Sequence, residues 1–215
     1  MILNIFKPAV WTSFDVVKEV RNVLGVKKAG HAGTLDPLAE GVLIVLTDKD
    51  TKKQQEIMNS KKEYLAYIAL GGTTSSYDLE TKITETDQNI NLENILEKLD
   101  YVLRKYKGKI VQTVPAYSAV KVKGKRLYKK ARKGKVNLQN LPSREIEIYE
   151  LENLGVYRQD GFVILKLRVL CSSGTYIRSL AYDIGQDLGV GGFLYYLLRT
   201  KVGKYCVEDS ICLED

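Results

Sequence analysis

The sequence GHAGTLDPLAEG, residues 30–41, is the most informative part of this chain. It contains the single histidine of the chain, His31, and places the carboxylate of Asp36 in a glycine-rich setting. The apolar run VLIVL, residues 42–46, follows directly and predicts a core strand. A glycine-rich turn that leads into a strand can hold a carboxylate rigidly at the mouth of a cleft. An Asp-Pro pair by itself would indicate an ordinary turn, so the interpretation depends on the full stretch.

Five further stretches accompany this one and extend over nearly the whole chain. They are Lys7-Pro8 with Thr12-Ser13, Lys62-Glu63-Tyr64, Leu70-Gly71 with Asp78, Val114-Pro115-Ala116-Tyr117-Ser118-Ala119, and Gly174-Thr175-Tyr176-Ile177-Arg178. In this order, the set resembles the TruB-type pseudouridine synthases, which isomerise uridine 55 in the T-arm of tRNA. The resemblance implies the pseudouridine synthase fold and the same reaction for this chain.

Four residues form the reacting centre that the resemblance implies. Asp36 would be the catalytic carboxylate, Arg178 its charge partner and Tyr176 part of the pocket wall. Tyr64 would stack on the target base, which must be turned out of the folded RNA before a protein group can reach it. From the residues alone, Tyr64 and Tyr176 could be core aromatics and Arg178 a surface arginine at a helix start.

Four more residues surround this centre in the family. By resemblance, His31 enters the T-loop and helps to hold the base out, and Lys7 shapes the floor of the site. Asp78 would pair with the active-site arginine, and Arg199 would lie near the active site and the RNA. Without the resemblance, His31 could simply stabilise its loop, and Asp78 would be an exposed loop acid.

The implied reaction breaks the N1–C1′ bond of uridine, rotates the base and rejoins it to the sugar through C5. It needs no redox step, so one carboxylate can suffice, either as a nucleophile or as a base at the sugar. The sequence leaves that choice open. We expect no metal and no organic cofactor, because one histidine and three cysteines without metal-type spacing argue against a zinc site.

The positive charge of the chain is concentrated in one segment. The chain has 33 basic and 26 acidic residues, yet residues 101–140 contain thirteen Lys or Arg and no Asp or Glu. Such a block is costly by self-repulsion unless a polyanion meets it, so it predicts RNA binding. The candidate contacts to the RNA backbone are Lys121, Lys125, Arg126, Lys129 and Lys130. A solvated lysine-rich surface is the alternative.

Length and composition predict one catalytic domain over residues 1–215. The family commonly carries a C-terminal RNA-binding PUA domain, for which this length leaves no room. The N-terminus lacks the features of a secretion signal, and an odd number of cysteines suits reduced thiols. We therefore expect a cytoplasmic protein that acts as a monomer on tRNA without an obligate protein partner.

Hydrophobic periodicity predicts an α+β fold with a mixed, mostly antiparallel sheet flanked by helices. Predicted strands cover 2–6, 42–46, 64–70, 144–152, 162–170 and 201–207, with strand, turn and short helix in the basic segment. Predicted helices run from Ser13, as N-cap, to Gly25, from 47 or 48 to 58, over 91–105 and over 177–188, with an irregular connection at 73–90. If Tyr176 and Arg178 line one site, residues 174–178 should be partly extended, with the helix starting just after them.

Two features depart from the family pattern and three alternative functions stay open. Val10 stands where the family has glycine, and Ser75, Ser76 and Thr81 replace usual residues after Gly71, so the local turns are in doubt. The alternatives are a guide-RNA-directed pseudouridine synthase, a non-catalytic tRNA-binding or tRNA-folding chaperone, and a pseudouridine synthase for another RNA. Related ribosomal enzymes usually show Arg-Leu-Asp, whereas this chain has Thr34-Leu35-Asp36.

Overall fold

The computed structural model describes residues 1–86, 90–118, 120–122, 124–131 and 140–213. The strands are β1 Ile2–Lys7, β2 Ala29–His31, β3 Glu40–Thr47, β4 Lys62–Leu70, β5 Gly72–Thr74, β6 Ile83–Thr86, β7 Gly108–Thr113, β8 Lys121–Val122, β9 Lys125–Arg126, β10 Ser143–Gln159, β11 Phe162–Cys171, β12 Gly192–Val202, β13 Tyr205–Cys206 and β14 Ile211–Cys212. The helices are α1 Ser13–Leu24, α2 Gln54–Asn59, α3 Leu92–Lys105, α4 Leu127–Ala131 and α5 Ile177–Leu188, with 3₁₀ turns at Asp48–Lys53 and Val207–Asp209.

Within the described residues, ten strands form one mixed sheet. Its order is β14-β1-β3-β12-β4-β11-β10-β7, with β2 paired to β3 and β13 paired to β12. The pairs β1–β3, β2–β3, β7–β10 and β12–β13 are antiparallel, and the pairs β1–β14 and β3–β12 are parallel. The predicted α+β class with a mostly antiparallel sheet is confirmed.

The chain divides into two compact units, the first of which comprises Met1–Ala66, Arg168–Ser173 and Tyr196–Asp215. Its core is built on β3, which is buried along almost its whole length. Leu43 and Val45 pack with the apolar stripe of α1, and Val42, Ile44 and Leu46 pack with Ile57 of α2. A strand buried on both faces needs no polar alternation, which explains the continuous apolar run after Gly41.

The second unit comprises Tyr67–Leu167 and Gly174–Tyr195. Its sheet core includes Ala69, Ile164 and Phe193, and α3 buries an apolar stripe that includes Ile95 and Leu99. Helices α3 and α5 contact each other, and Lys105 at the end of α3 pairs with Asp187 of α5 at 3.1 Å. The amphipathic patterns predicted for these two helices are confirmed.

Four predictions about elements need correction. The N-cap of α1 is Thr12 and not Ser13, because Thr12 and Asp15 form a capping box. The connection at 73–90 contains the hairpin of β5 and β6. The last long strand is β12, Gly192–Val202, and not 201–207. Its run of apolar and aromatic residues has no clear alternation, so periodicity could not identify it.

Between residues 47 and 58, the expected helix is a 3₁₀ turn followed by the short helix α2. No helix in the described part of the chain combines the length and the apolar character needed to cross a bilayer.

Candidate active site

The loop that carries Asp36 is fastened to the first helix by one hydroxyl group. Because Thr12 caps α1, the buried Ser13 side chain is available to the loop. Its Oγ donates to the Leu35 carbonyl oxygen at 3.0 Å and accepts from the Leu35 N–H at 2.9 Å. Both main-chain groups of the residue before Asp36 are therefore fixed, while Asp36 itself is half-buried.

The residue after Asp36 is held by a buried ammonium group. Lys7 is fully buried, and its Nζ donates to the carbonyl oxygens of Pro8 at 2.7 Å, Trp11 at 2.7 Å and Pro37 at 3.0 Å. The Val10 N–H also donates to the Pro37 oxygen at 2.8 Å. Burial lowers the pKa of Lys7 to about 8, although the Glu40 and Asp36 carboxylates oppose the change. Lys7 therefore holds the backbone next to Asp36, and its role in shaping the floor of the site stays a prediction.

Arg199 supports the same loop from β12. Its side chain is 1% exposed and donates to three main-chain carbonyl oxygens. Nε donates to that of Val42 at 2.7 Å, Nη2 to that of Gly33 at 3.1 Å and Nη1 to that of Thr34 at 3.4 Å. A guanidinium so covered by main-chain acceptors stiffens the entry to the loop and the strand that follows it. Whether Arg199 also lies near bound RNA stays a prediction.

Glycine is required where the two strands meet. Gly41 pairs with Arg199 across β3 and β12, and its φ is 101°. A Cβ at this position would lie 2.3 Å from the Arg199 carbonyl oxygen. The glycine at the end of the 30–41 motif thus lets β12 approach closely enough to place the arginine beneath the loop.

Tyr64 and Lys62 point to the buried side of β4 in the first unit. Tyr64 is 8% exposed, and burial raises its pKa although the nearby Arg199 guanidinium opposes this. The phenol is therefore neutral at ordinary pH. Lys62 donates from Nζ to the carbonyl oxygens of Met58 and Ser60, and burial lowers its pKa to about 8. Stacking of Tyr64 on a base stays a prediction.

His31 lies on β2, immediately before the loop. Gln54 donates from Nε2 to the His31 carbonyl oxygen at 2.8 Å, which fixes the backbone. Burial, with a smaller contribution from Arg199, lowers the pKa of His31, so the imidazole is neutral at pH 7. Within the described residues its buried Nδ1 has no hydrogen-bond partner. Engagement of the T-loop by His31 stays a prediction.

Arg178 is at the centre of a second cluster, which lies entirely in the second unit. It is 3% exposed. It donates from Nη1 to the main-chain carbonyl oxygen of Ser76 and from Nη2 to that of Tyr117, both at 2.9 Å. Its Nε lies 3.5 Å from Oδ2 of Asp78, whose Oδ1 accepts from the Glu80 N–H at 3.0 Å. The surface-arginine alternative is wrong, and the implied pair with Asp78 is present. Pairing of Arg178 with Asp36 stays a prediction.

Tyr176 precedes Arg178 and is clamped by two residues that the sequence did not reveal. Gln112 of β7 donates from Nε2 to the Tyr176 main-chain carbonyl oxygen at 3.0 Å, and its Oε1 accepts from the Tyr176 main-chain N–H at 2.8 Å. The Arg144 guanidinium of β10 lies 5.1 Å from the centre of the Tyr176 ring. No sequence signal marks either residue, because both contacts join positions far apart in the chain.

The conformation of residues 174–178 agrees in part with the expectation. Tyr176 is extended, with φ −99° and ψ 106°, and is the N-cap of α5. The helix starts at Ile177, so Arg178 lies in its first turn instead of before it. Tyr176 is therefore carried by the extended N-cap, and Arg178 by the first turn of the helix.

The basic segment forms the predicted strand, turn and short helix. Strands β8 and β9 pair antiparallel around Gly124, whose φ is 76°, and α4 follows. Lys130 is half-buried. Four predicted contacts to the RNA backbone concern side chains that lie outside the described part of the structure: Lys121, Lys125, Arg126 and Lys129. Residues 119, 123 and 132–139 of the segment also lie outside it. In the part of the chain that is described, no three His, Cys, Asp or Glu side chains form a group that could hold a metal ion.

Solved structures identify the class of protein. The chain is similar to one in an H/ACA ribonucleoprotein bound to a substrate RNA containing 2′-deoxyuridine, with a TM-score of 0.69 and 28% identity over 98% of this chain. It is also similar to one in a Cbf5–Nop10–Gar1 complex, with a TM-score of 0.69 and 31% identity over 99% of this chain. The chain spans about half the length of these structures, 50% and 52%. The fold is that of the pseudouridine synthases.

Sequence relatives identify the family. The model of the TruB family pseudouridylate synthases, N-terminal domain, matches residues 21–177. The tRNA pseudouridine synthase B of Clostridium tetani is 45% identical over 215 residues, which are 100% of this chain and 71% of that protein. The protein of the same name from Phocaeicola vulgatus is 44% identical over 220 residues, which cover 99% of this chain and 90% of that protein. The chain belongs to the TruB family of pseudouridylate synthases.

Proposed function

We propose that this chain is a tRNA pseudouridine-55 synthase, an isomerase that converts uridine 55 of the T-arm to pseudouridine. The observation that carries the proposal is the Asp36 loop, which three buried side chains fix from inside: Ser13, Lys7 and Arg199. A carboxylate held in this way is suited to attack or proton transfer, because catalysis depends on fixed geometry. Relatives named tRNA pseudouridine synthase B, 44–45% identical across the chain, support tRNA as substrate.

Asp36 performs the chemistry in this proposal. The target uridine leaves the stack and enters the pocket, the N1–C1′ bond breaks with Asp36 acting as nucleophile or base, and the base rotates. C1′ then joins C5, the hydrogen on C5 leaves to water as a proton, and N1, which kept the electron pair of the broken bond, takes up a proton. The reaction is balanced without an oxidant, a reductant or an energy source, so the proposal includes no cofactor.

The surrounding residues have the roles that the resemblance implies. Tyr64 stacks on the everted base and Tyr176 forms the pocket wall. His31, which lies on β2 immediately before the Asp36 loop, engages the T-loop. Arg178 is the charge partner of Asp36. Lys7 and Arg199 act on the loop backbone and need not touch the RNA.

The proposal extends to binding and organisation. The basic segment 101–140 binds the sugar-phosphate backbone of the tRNA, because it carries all of the excess positive charge. We propose that residues 1–215 act as one catalytic domain, as a monomer in the cytoplasm. RNA affinity then rests on this segment to a large extent.

A guide-RNA-directed synthase is the second candidate, because the similar solved structures include an H/ACA ribonucleoprotein. Their identity to this chain is 28% and 31%, against 44–45% for the tRNA enzymes. The higher identity favours action on free tRNA. Activity on tRNA without a guide RNA distinguishes the two candidates.

The test is tritium release from a T-arm stem-loop that carries [5-³H]uridine, with wild type and Asp36→Asn compared. Wild type should release tritium without a guide RNA, and Asp36→Asn should release none while it binds the RNA almost as tightly. The amide keeps the shape of the carboxylate and removes its charge. Normal turnover by Asp36→Asn would exclude the mechanism, and binding without release by wild type would favour the chaperone or the guided enzyme.

A further inference from the structure

Tyr77 has a strained backbone between two residues that bind Arg178. Its φ is 64°, in the left-handed region that bulky residues rarely adopt because Cβ crowds the main chain. Ser76, just before it, accepts a hydrogen bond from Arg178 through its carbonyl oxygen, and the carboxylate of Asp78, just after it, forms an ion pair with Arg178. The value of φ at Tyr77 sets the direction of Asp78 relative to Ser76. With Tyr77 in this unusual conformation, both acceptors reach one guanidinium.

A second tyrosine covers the strained one. The rings of Tyr77 and Tyr182 are stacked, with centroids 4.1 Å apart and planes 20° apart. Tyr182 lies on α5, four residues after Arg178, so the two side chains leave the same face of the helix one turn apart. The segment 76–78 is thus held by α5 at two points, through the guanidinium and through the ring stack.

We infer that Tyr182 is a positioning residue for Arg178, acting through Tyr77. The free energy gained from one aromatic stack is similar in size to the cost of one left-handed residue, so the stack can decide whether the strain persists. Without it, Tyr77 relaxes towards negative φ and Asp78 turns away from the guanidinium. The inference rests on the proposed function, in which Arg178 serves pseudouridine formation.

The hydroxyl groups of the same segment offer a competing explanation. Thr74 and Ser76 donate from Oγ1 and Oγ to the Asp78 carbonyl oxygen at 2.8 Å and 3.2 Å. If these two bonds hold the segment by themselves, removal of the ring of Tyr182 will leave Arg178 unaffected. The experiment must therefore report on Arg178 directly.

The first measurement is hydrogen exchange of the Arg178 Nε–H by NMR, with the signal assigned through its loss in Arg178→Lys. Tyr182→Leu keeps apolar volume without a ring and should speed exchange by about tenfold, equivalent to about 1.4 kcal/mol of opening free energy. Tyr182→Phe keeps the stack and should match wild type. Tyr157→Leu replaces a partly exposed tyrosine of β10 and is the matched control. Unchanged exchange in Tyr182→Leu would overturn the inference.

The second measurement is rescue by strain relief. Glycine adopts a φ of 64° without steric cost, so adding Tyr77→Gly to Tyr182→Leu should restore slow exchange. Rescue would not be expected if Tyr182 only contributed to the packing of α5. If Tyr182→Leu does not fold, Tyr77→Gly in the wild-type background is the deciding variant. It should keep slow exchange of the Arg178 Nε–H although the stack is absent. Fast exchange would contradict the inference.

Kinetics then connect the inference to the proposed function. In single-turnover tritium release, Tyr182→Leu should lower the rate constant by about tenfold with RNA affinity unchanged, because only the position of Arg178 is affected. A wild-type rate in Tyr182→Leu, with wild type active, would overturn the inference. An inactive wild type whose Arg178 exchange responds as expected would reject the proposed function and leave the positioning role standing.

Discussion

At the scale of single residues, the first unit stabilises three buried positive charges with main-chain carbonyl oxygens. Lys7, Lys62 and Arg199 are almost fully buried, and each donates to two or three carbonyl groups. Buried cations are stabilised by such charge-assisted hydrogen bonds, and their removal takes a charged donor away from each acceptor. Each of these three side chains therefore fixes a stretch of backbone near the site.

Lys7→Met should destabilise the protein by about 1–3 kcal/mol at pH 7, because three carbonyl groups lose a charged donor. The difference between wild type and variant should grow from pH 8 upwards. The pKa of Lys7 is lowered by burial to about 8 from its usual 10.5, so the native state loses this proton first. Between these values the unfolded chain binds more protons, and the free energy of unfolding of wild type rises with pH relative to the variant.

Urea unfolding at pH 7, 8 and 9.5 measures both effects. Lys18→Met, at an exposed position of α1, is the control and should show neither. A gap between wild type and Lys7→Met that narrows above pH 8 would contradict the lowered pKa.

At the scale of elements, the pairing of β3 with β12 determines whether Arg199 reaches the loop. The two strands are parallel neighbours, and Leu198 and Arg199 lie opposite Glu40 and Gly41. The motif glycine therefore has its effect on a strand that begins about 150 residues later in the sequence. This link between loop and strand is stronger evidence for the role of Gly41 than its place in a motif.

Gly41→Ala should cost about 3 kcal/mol or more, because the new Cβ would lie 2.3 Å from the Arg199 oxygen at a φ of 101°. Gly30→Ala is the matched control in the same motif, since nothing lies within 4 Å of its added Cβ. It should change the free energy of unfolding by less than about 1 kcal/mol. Thermal and urea unfolding measure the free energy of unfolding of both variants. Equal stabilities of the two variants would contradict the close approach of β3 and β12.

At the scale of the whole molecule, the charge is divided between one basic segment and an acidic remainder. Residues outside 101–140 carry 20 basic and 26 acidic side chains, a net charge of −6. A polyanion should therefore be attracted mainly to the basic segment, where 13 positive charges are placed without a negative one. The net charge of +7 understates this contrast.

Neutralisation of four residues in this segment should weaken T-arm RNA binding and flatten its dependence on salt. The variant changes Lys125, Arg126, Lys129 and Lys130 to serine. For each phosphate that the variant no longer neutralises, the slope of log K against log salt should fall by about 0.7–0.9. The control removes the same charge elsewhere, at Lys18, Arg21, Lys82 and Lys98. Equal salt slopes in the two variants would mean that the basic segment is only a solvated surface.

The sequence by itself determined the features that depend on neighbours in the chain. The 30–41 motif, the buried strand after it and the helices α1, α3 and α5 follow from local glycine placement and periodicity. The strand β12 did not, because its apolar run lacks a period that separates strand from helix. The N-cap of α1 differs from the prediction by one residue, because Thr12 forms a capping box with Asp15 and the Ser13 hydroxyl binds Leu35 instead.

Only the tertiary structure decided what the charged residues bind. It showed that Arg199 serves the loop backbone and that Arg178, besides the expected partner Asp78, binds two carbonyl groups. It also showed that the uncharged Gln112 clamps Tyr176. Each of these contacts joins residues 60 or more positions apart, and the acceptors are often main-chain oxygens that every residue carries. A main-chain oxygen has no signature in the sequence, so folding alone selects which one a buried cation receives.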